Sequence, residues 1–289
     1  MRKIIVFILC FVAIRGADAQ EKDTSYWQGA GSGSVNFSQV SLSNWSAGGD
    51  GSLAFNLMFD YKLDYKKEKH LWQNYLELAY GMSKTVKEES KKTNDKIYFS
   101  SLYGYLIAKN FYISGQFVYN TQFANGYDYS VEPKMFISQF MSPGYLTVGA
   151  GFTWVPKKWI TVTFSPIAWQ GTFVRNTRLL DEDLFRGKPG KHCLSGVGGN
   201  FKLEVTYEFL PNMTVYSRLG LFSDYLHKPQ NIDVKWDTQL TMKINKWFAA
   251  NLNLNMIYDD DVMILQKDGH KGPRLQVKEV LGVGFRATF

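Results

Sequence analysis

The stretch Ile232-Asp233-Val234-Lys235-Trp236-Asp237-Thr238-Gln239-Leu240-Thr241-Met242-Lys243-Ile244-Asn245 alternates side chain by side chain. Ile232, Val234, Trp236, Leu240, Met242 and Ile244 share one face, with Thr238 among them. Asp233, Lys235, Asp237, Gln239, Thr241, Lys243 and Asn245 share the other. A period of two is that of a β-strand, because successive side chains leave opposite sides of the pleat. The neighbouring segment repeats it, with Phe248, Ala250, Leu252, Leu254 and Met256 against Asn251, Asn253 and Asn255. Phe201, Leu203, Val205, Tyr207 and Phe209 oppose Lys202, Glu204, Thr206 and Glu208. Further back, Leu53, Phe55, Leu57, Phe59, Tyr61 and Leu63 oppose Asn56, Asp60, Lys62 and Asp64.

About twelve such segments follow one another, with cores near 34–42, 52–65, 70–84, 95–108, 111–122, 145–154, 159–169, 197–209, 212–223, 232–245, 247–258 and 275–289. Each is close to or longer than the ~9–11 residues that a tilted strand needs to cross a bilayer. An even number is what single-chain bacterial barrels use. A soluble β-sandwich also alternates, and the links between segments separate the two. Lys66-Lys67-Glu68-Lys69, Lys109-Asn110, Pro156-Lys157-Lys158, Leu210-Pro211 and Lys246 are tight, whereas 86–94, 124–144, 174–196 and 259–274 are long. Short and long links alternate, which in an up-and-down barrel puts all turns on one side and all loops on the other. A Greek-key sandwich has no reason to do so. The expected fold is an all-β, transmembrane, antiparallel up-and-down barrel of about twelve strands, with short periplasmic turns and long external loops.

Aromatic residues fit two girdles at the membrane interfaces. Phe111, Trp154, Trp159, Phe209, Trp247, Phe248 and Phe289 fall at the short-turn side, and Tyr80, Tyr119, Trp236 and Tyr258 near the long-loop ends. In the last segment Leu275, Val277, Leu281, Val283, Phe285, Ala287 and Phe289 share a face with Glu279, ten residues from Phe289. With Phe289 at the lower interface, Glu279 reaches the upper one, where charge costs little. Gly282 and Gly284 are expected to ease packing or curvature. Pro166 falls inside a segment; a closed barrel has no free edge to hide its missing N–H, so a bulge or a strand end is expected there.

Composition agrees. The 289 residues are 16% aromatic yet only 45% hydrophobic, with mean hydropathy -0.23. After the start the sequence has no apolar run of the ~18 residues that a membrane helix needs. Arg2 and Lys3, the apolar stretch 4–14 and Ala17-Asp18-Ala19 read as a cleaved signal peptide over 1–19. A short segment over 20–32 and the barrel over 33–289 follow. Cleavage removes Arg2, Lys3 and Arg15 together with Asp18, which takes the formal charge from +7 to +5, and it leaves Cys193 without a second cysteine. The charge is mild, and no basic patch interleaved with aromatics points to nucleic acid.

Several separated motifs then resemble a known family. They are Val35-Asn36-Phe37-Ser38-Gln39-Val40-Ser41-Leu42-Ser43-Asn44-Trp45 with Ala47-Gly48-Gly49, Thr121-Gln122-Phe123, Pro229-Gln230-Asn231-Ile232-Asp233-Val234, Met242-Lys243-Ile244-Asn245-Lys246, Ile257-Tyr258-Asp259-Asp260-Asp261 and Gly272-Pro273-Arg274-Leu275-Gln276. From about Gly33 to Phe289 the chain resembles an uncharacterised, domain-of-unknown-function family of Bacteroidetes outer-membrane proteins. The resemblance implies an outer-membrane barrel and a C-terminal aromatic, Phe289, recognised by the barrel-assembly machinery. It implies no activity and no catalytic residue.

The residues themselves point away from catalysis. His70, His192, His227 and His270 fall in turns or loops, and none has a serine two positions away, as outer-membrane phospholipase A would need. His227 near Asp224 only faintly echoes the acid-and-histidine rim of the outer-membrane proteases. Asp259, Asp260 and Asp261 form a weak metal candidate at the external rim, with Asp268 further on. Carboxylates suit Ca²⁺, but three consecutive side chains of an extended strand cannot all face one ion. No enzyme activity, no cofactor and no nucleic-acid partner is expected; outer-membrane lipid is, and loop-binding partners remain open. The inward face is the informative surface. Asp60, Lys62, Glu77, Lys202, Glu204, Arg218, Asp233, Lys235, Asp237, Lys243 and Arg286 are expected to line it, with both signs in quantity. Twelve strands lie between the ~8 that side chains fill and the 16–18 that leave a channel. The expectation is a small channel for polar solutes, with a non-conducting structural or interaction barrel acting through its loops as the alternative.

Overall fold

The computed structural model describes residues 26–41, 50–86, 88–129, 131–180, 190–265 and 270–289. The signal-peptide reading, residues 20–25 of the segment at 20–32, the motif residues at 42–49 and Asp268 lie outside them. Among the described residues sixteen strands are present: β1 Trp27–Val40, β2 Ser52–Lys67, β3 His70–Thr85, β4 Lys91–Ala108, β5 Phe111–Thr121, β6 Gly126–Asp128, β7 Met135–Ser138, β8 Gly144–Lys157, β9 Ile160–Phe173, β10 Cys193–Leu210, β11 Met213–Asp224, β12 Asp233–Lys243, β13 Phe248–Tyr258, β14 Ile264–Leu265, β15 Lys271–Gly272 and β16 Gln276–Thr288. Twelve of them close an antiparallel barrel in the order β1-β2-β3-β4-β5-β8-β9-β10-β11-β12-β13-β16, with β16 back on β1. The short pairs β6–β7 and β14–β15 lie in long links and stand apart from the barrel sheet.

All twelve barrel strands coincide with the segments that alternate in the sequence. Three begin earlier than the pattern shows: β1 at Trp27 rather than near 33, β4 at Lys91 rather than 95, and β10 at Cys193 rather than 197. The first extension is glycine-rich and the second polar on both faces, so neither carries an alternation to read, and Cys193-Leu194-Ser195-Gly196 is too short to show one. The links 68–69, 109–110, 158–159, 211–212 and 244–247 are short and share one end of the barrel; the longer ones share the other. Glu68, Asn110 and Asn212 have positive φ of 49°, 58° and 68° within the tightest turns. Asparagine tolerates this left-handed region because its short amide hydrogen-bonds locally.

The barrel is inside-out relative to a soluble protein. Leu57, Ile113, Val148, Phe164, Val197, Trp236, Leu281 and Val283 are exposed on its outer wall, whereas Asn36, Gln116, Thr153, Thr163, Arg218 and Asn251 are buried inside. The last strand keeps its expected parity, with Leu281, Val283 and Phe285 outward and Gly284 buried inward.

Pro166 sits in a bulge seen from both neighbours. The β8–β9 register shifts between Ala150↔Ile167 and Phe152↔Phe164, and the β9–β10 register between Gly198↔Ala168 and Asn200↔Ser165. The ring therefore leaves the ladder where it has no N–H to give. Gly151 opposite lets the chains approach, because a Cβ there would lie 2.1 Å from the Phe164 carbonyl oxygen.

At the seam, β1 and β16 pair from Ser32↔Thr288 to Asn36↔Gly284. Gly31 N–H donates to the Phe289 carbonyl over 2.8 Å, and Phe289 N–H returns a bond of 3.0 Å. The Phe289 ring lies over Gly31 and stacks on Phe59 and Tyr61, with centroids at 6.1 and 6.2 Å. Phe289→Ala is expected to cost about 1 kcal/mol per lost aromatic pair, read as a lower midpoint in urea unfolding.

Candidate functional site

Inward positions of six strands meet at mid-depth around Arg218 of β11. Its Nη2 lies 2.5 Å from Asp237 Oδ2 on β12 and 3.3 Å from Glu77 Oε2 on β3. Its Nη1 donates to the Tyr216 hydroxyl over 3.3 Å. Its carbon sits 3.7 Å above the centre of the Tyr98 ring. Lys96 of β4 bridges the same two acids, 2.9 Å from Glu77 Oε1 and 3.4 Å from Asp237 Oδ2. Asn255 Nδ2 donates to Asp237 Oδ1 over 2.6 Å. The network runs on through Tyr216, whose hydroxyl donates to Glu204 Oε1 over 3.2 Å, to Lys202, 3.0 Å from Glu204 Oε2. Three cations and three carboxylates thus compensate one another.

The reach of these pairs matters more than their number. β3 and β11 are not neighbours, nor are β4 and β12. The Glu77–Arg218 and Lys96–Asp237 pairs therefore span the lumen instead of decorating one wall. Arg218 is 4% exposed, Tyr98 6% and Lys202 7%, so the middle of the lumen is filled by side chains. A cavity of about 120 Å³ lies on the long-loop side, lined among others by Asn120, Tyr145, Gln170, Asp233 and Lys235. Another of about 70 Å³ lies on the short-turn side, lined among others by Lys62, Asp64, Lys158 and Thr206. On the opposite wall Gln116 Nε2 donates to Ser165 Oγ and Asn200 Oδ1 over 2.9 and 2.7 Å. Below it Ser114, Thr153 and Thr163 form a hydroxyl ladder with steps of 2.7 and 3.2 Å.

The residues expected to line the lumen separate by depth. Glu77, Lys202, Glu204, Arg218 and Asp237 come together at the centre. Asp60 pairs in register with Glu77 and accepts from Ser32 Oγ over 2.9 Å. Lys62 faces the lower cavity, and Asp233 and Lys235 the upper, with Lys235 Nζ 4.8 Å from the Tyr145 ring centre. Arg286 Nη1 donates to Asn251 Oδ1 and Thr241 Oγ1 over 3.2 and 3.3 Å. Lys243 is exposed at the short-turn rim, away from the others. Sequence reasoning missed Lys96, Tyr75, Tyr98 and Tyr216. Lys96 and Tyr98 share a face with Ser100 and Leu102, a mixed set that reads as neither lumen nor lipid.

At the rim, Asp259 Oδ1 accepts from the Asp261 N–H over 3.0 Å, and Asp260 accepts from Tyr258 and Asn231. These acids build turn structure, and among the described residues no group of three or more His, Cys, Asp or Glu is placed to hold a metal ion. His227 Nδ1 meets Asp224 Oδ2 at 3.2 Å, and the same carboxylate caps the Leu226 N–H. In the long link 122–143, Tyr127 packs on Phe136 at 5.7 Å with Lys134 Nζ 5.3 Å above its ring. The hydrogen bond from Lys134 holds the Glu89 carboxyl below the usual carboxylate range.

Residues 37–127 match the family model "Protein of unknown function (DUF3078)", and residues 143–267 match "Protein of unknown function, DUF481". No curated protein matches the chain. Among solved structures, the translocator domain of autotransporter NalP from Neisseria meningitidis shares 10% identity, with 98% of this chain and 95% of that one covered at a TM-score of 0.37. The COG4313 outer membrane channel from Pseudomonas putida F1 shares 10% identity, with 94% and 100% covered at 0.38. The NanC porin shares 10%, with 89% and 98% covered at 0.36. Values this low carry nothing about activity. The chain is thus one closed twelve-stranded barrel that matches, in two successive stretches, families described only as proteins of unknown function.

Proposed function

We propose that the protein is an integral outer-membrane barrel that is closed to solutes at rest and acts through its long-loop side. The observation that carries this reading is the Arg218 cluster, which ties opposite walls together where a pore would have to pass. Purified protein in planar bilayers is expected to give no unitary conductance; stable single-channel steps from the unaltered protein would overturn the closed reading. The loop side offers the aromatic and cationic surface of Tyr127, Phe136 and Lys134 to a partner, and the upper cavity to a small polar one. No catalytic step is assigned.

The channel for polar solutes is the second reading. Cavities on both sides of Arg218 favour it, since they would join if that one cluster rearranged.

Membrane insertion itself has a depth test. Val283 lies midway between Phe289 and Glu279 on the outer face, and Leu275 lies beyond Glu279. Val283→Arg is expected to cost about 2–4 kcal/mol, against roughly 0–1 kcal/mol for Leu275→Arg. Unfolding titrations in lipid vesicles read both; equal costs would remove the barrel from the bilayer.

A further inference from the structure

Among the described residues, β1 and β16 leave the barrel wall unpaired on the long-loop half of the seam. The β1–β16 register stops at Asn36↔Gly284, although β1 continues on β2 to Val40↔Ser52 and β16 continues on β13 to Ile257↔Gln276. Had the seam run on, Ser38 would face Gly282 and Val40 would face Val280. Instead Phe37–Val40 are exposed on both faces, as are Gln276–Glu279. Below the parting point the same strands are tight: Ser32, Gly33 and Ser34 are all buried.

Asn36 sits where the strands part. A Cβ on Gly282 would meet the Asn36 side chain at 2.9 Å, so that amide wedges against β16 in the place Ser38 would hold. Asn36 is 4% exposed and its Oδ1 has no partner; Asn56 opposite is 8% exposed and its Nδ2 has none either. Behind the gap, Lys278 Nζ donates to Asn94 Oδ1 over 2.8 Å, and Asn94 Nδ2 to Asn56 Oδ1 over 3.0 Å. The bond from Lys278 ends on an amide, which does not neutralise its charge. Outside the gap, Phe37, Leu281 and Val277 are 57%, 66% and 58% exposed. The gap therefore has apolar lips, one unpartnered amide atom on each of Asn36 and Asn56 at its base, and a cation behind it.

Separated strands are costly in hydrocarbon, where each backbone group without a partner costs several kcal/mol. Something polar must meet these edges. We propose that the gap between Phe37–Val40 and β16 is a lateral portal to the outer-leaflet half of the membrane, and that it admits a lipid with an anionic head group. The acyl chain lies along Phe37 and Leu281, below the level of Glu279, and the head reaches Lys278 Nζ and the unpartnered Nδ2 of Asn56. This rests on the membrane-spanning reading given above.

Full-length protein in vesicles carrying a phospholipid with a photoactivatable diazirine in its acyl chain tests both. Mapping of labelled residues by mass spectrometry is expected to find Phe285 and Val283 on the outer wall, and also Ser38, Met58 and Asn94 inside. Thr153 and Thr163, inside the opposite wall, should stay unlabelled. Interior labelling should be several-fold stronger with phosphatidylglycerol than with phosphatidylcholine, and Lys278→Gln should abolish that preference. Absence of label at Phe285 would remove the membrane reading. Label at Phe285 without label at Ser38 or Asn94, or interior label indifferent to head-group charge, would overturn the portal. As an independent measurement, the Ser38→Cys/Gly282→Cys pair should form a disulfide far more slowly than Ser32→Cys/Thr288→Cys, and equal rates would show that the seam is zipped along its length.

Discussion

Arg218→Ala is expected to turn a silent barrel into a conducting one and to weaken it at the same time. The side chain fills the middle of the lumen and holds Glu77 and Asp237, which face each other from different walls. Its loss leaves two carboxylates to share Lys96, and breaking a buried ion pair by removing one partner costs about 3–5 kcal/mol. Water that follows into the vacated space recovers part of this, and the same water joins the cavities above and below. Planar-bilayer recordings should show steps that the unaltered protein lacks, and denaturant titration should show the lower stability. Arg218→Lys should fall between: it keeps the charge but loses the planar fork that reaches both acids and stacks on Tyr98. An alanine variant that stays silent and keeps its full stability would remove Arg218 from the barrier.

Gly284→Val should do more damage than any other single change at the seam. A Cβ at this position would lie 2.1 Å from the Val35 carbonyl oxygen and 2.7 Å from the Asn36 Cα. These are backbone atoms held in the ladder, so they cannot swing aside as a side chain would. The five-pair seam is also the shortest junction in the barrel. Its failure exposes two strand edges, which closed barrels exist to avoid. Most of the folded, gel-compact species should be lost on refolding. Gly115→Ala is the control, because the nearest atom to its Cβ would be the Gly149 oxygen at 3.9 Å. Equal folding yields for the two variants would show that the seam tolerates a side chain.

The architecture was legible because alternation is a local property. Ile232 to Asn245 shows both faces of β12 in one reading, and the alternating link lengths give the up-and-down order. The break at Pro166 was legible for a similar reason, since a missing N–H in a closed sheet has few remedies. The centre of the lumen was not. Glu77 and Arg218 are 141 positions apart, and their meeting depends on where each strand stands around the barrel and how far the ladder shears. Alternation tells inward from outward but says nothing of height or angle. Lys96 and Tyr98 were hidden by the mixed face they share with Ser100 and Leu102. The parting of β1 from β16 was also missed, although the alternation of Val35-Asn36-Phe37-Ser38 breaks at Gln39-Val40, where a polar side chain falls on the outward face and an apolar one on the inward.

Closure on β1 also bears on how such a chain can be divided. The two family matches meet in the link that carries β6 and β7, which suggests a cut near residue 130. Yet either piece would be a curved sheet with two raw margins. The five early barrel strands depend on β8 on one flank and β16 on the other. The barrel therefore folds as one unit across that boundary, and coexpressed halves should assemble together or not at all.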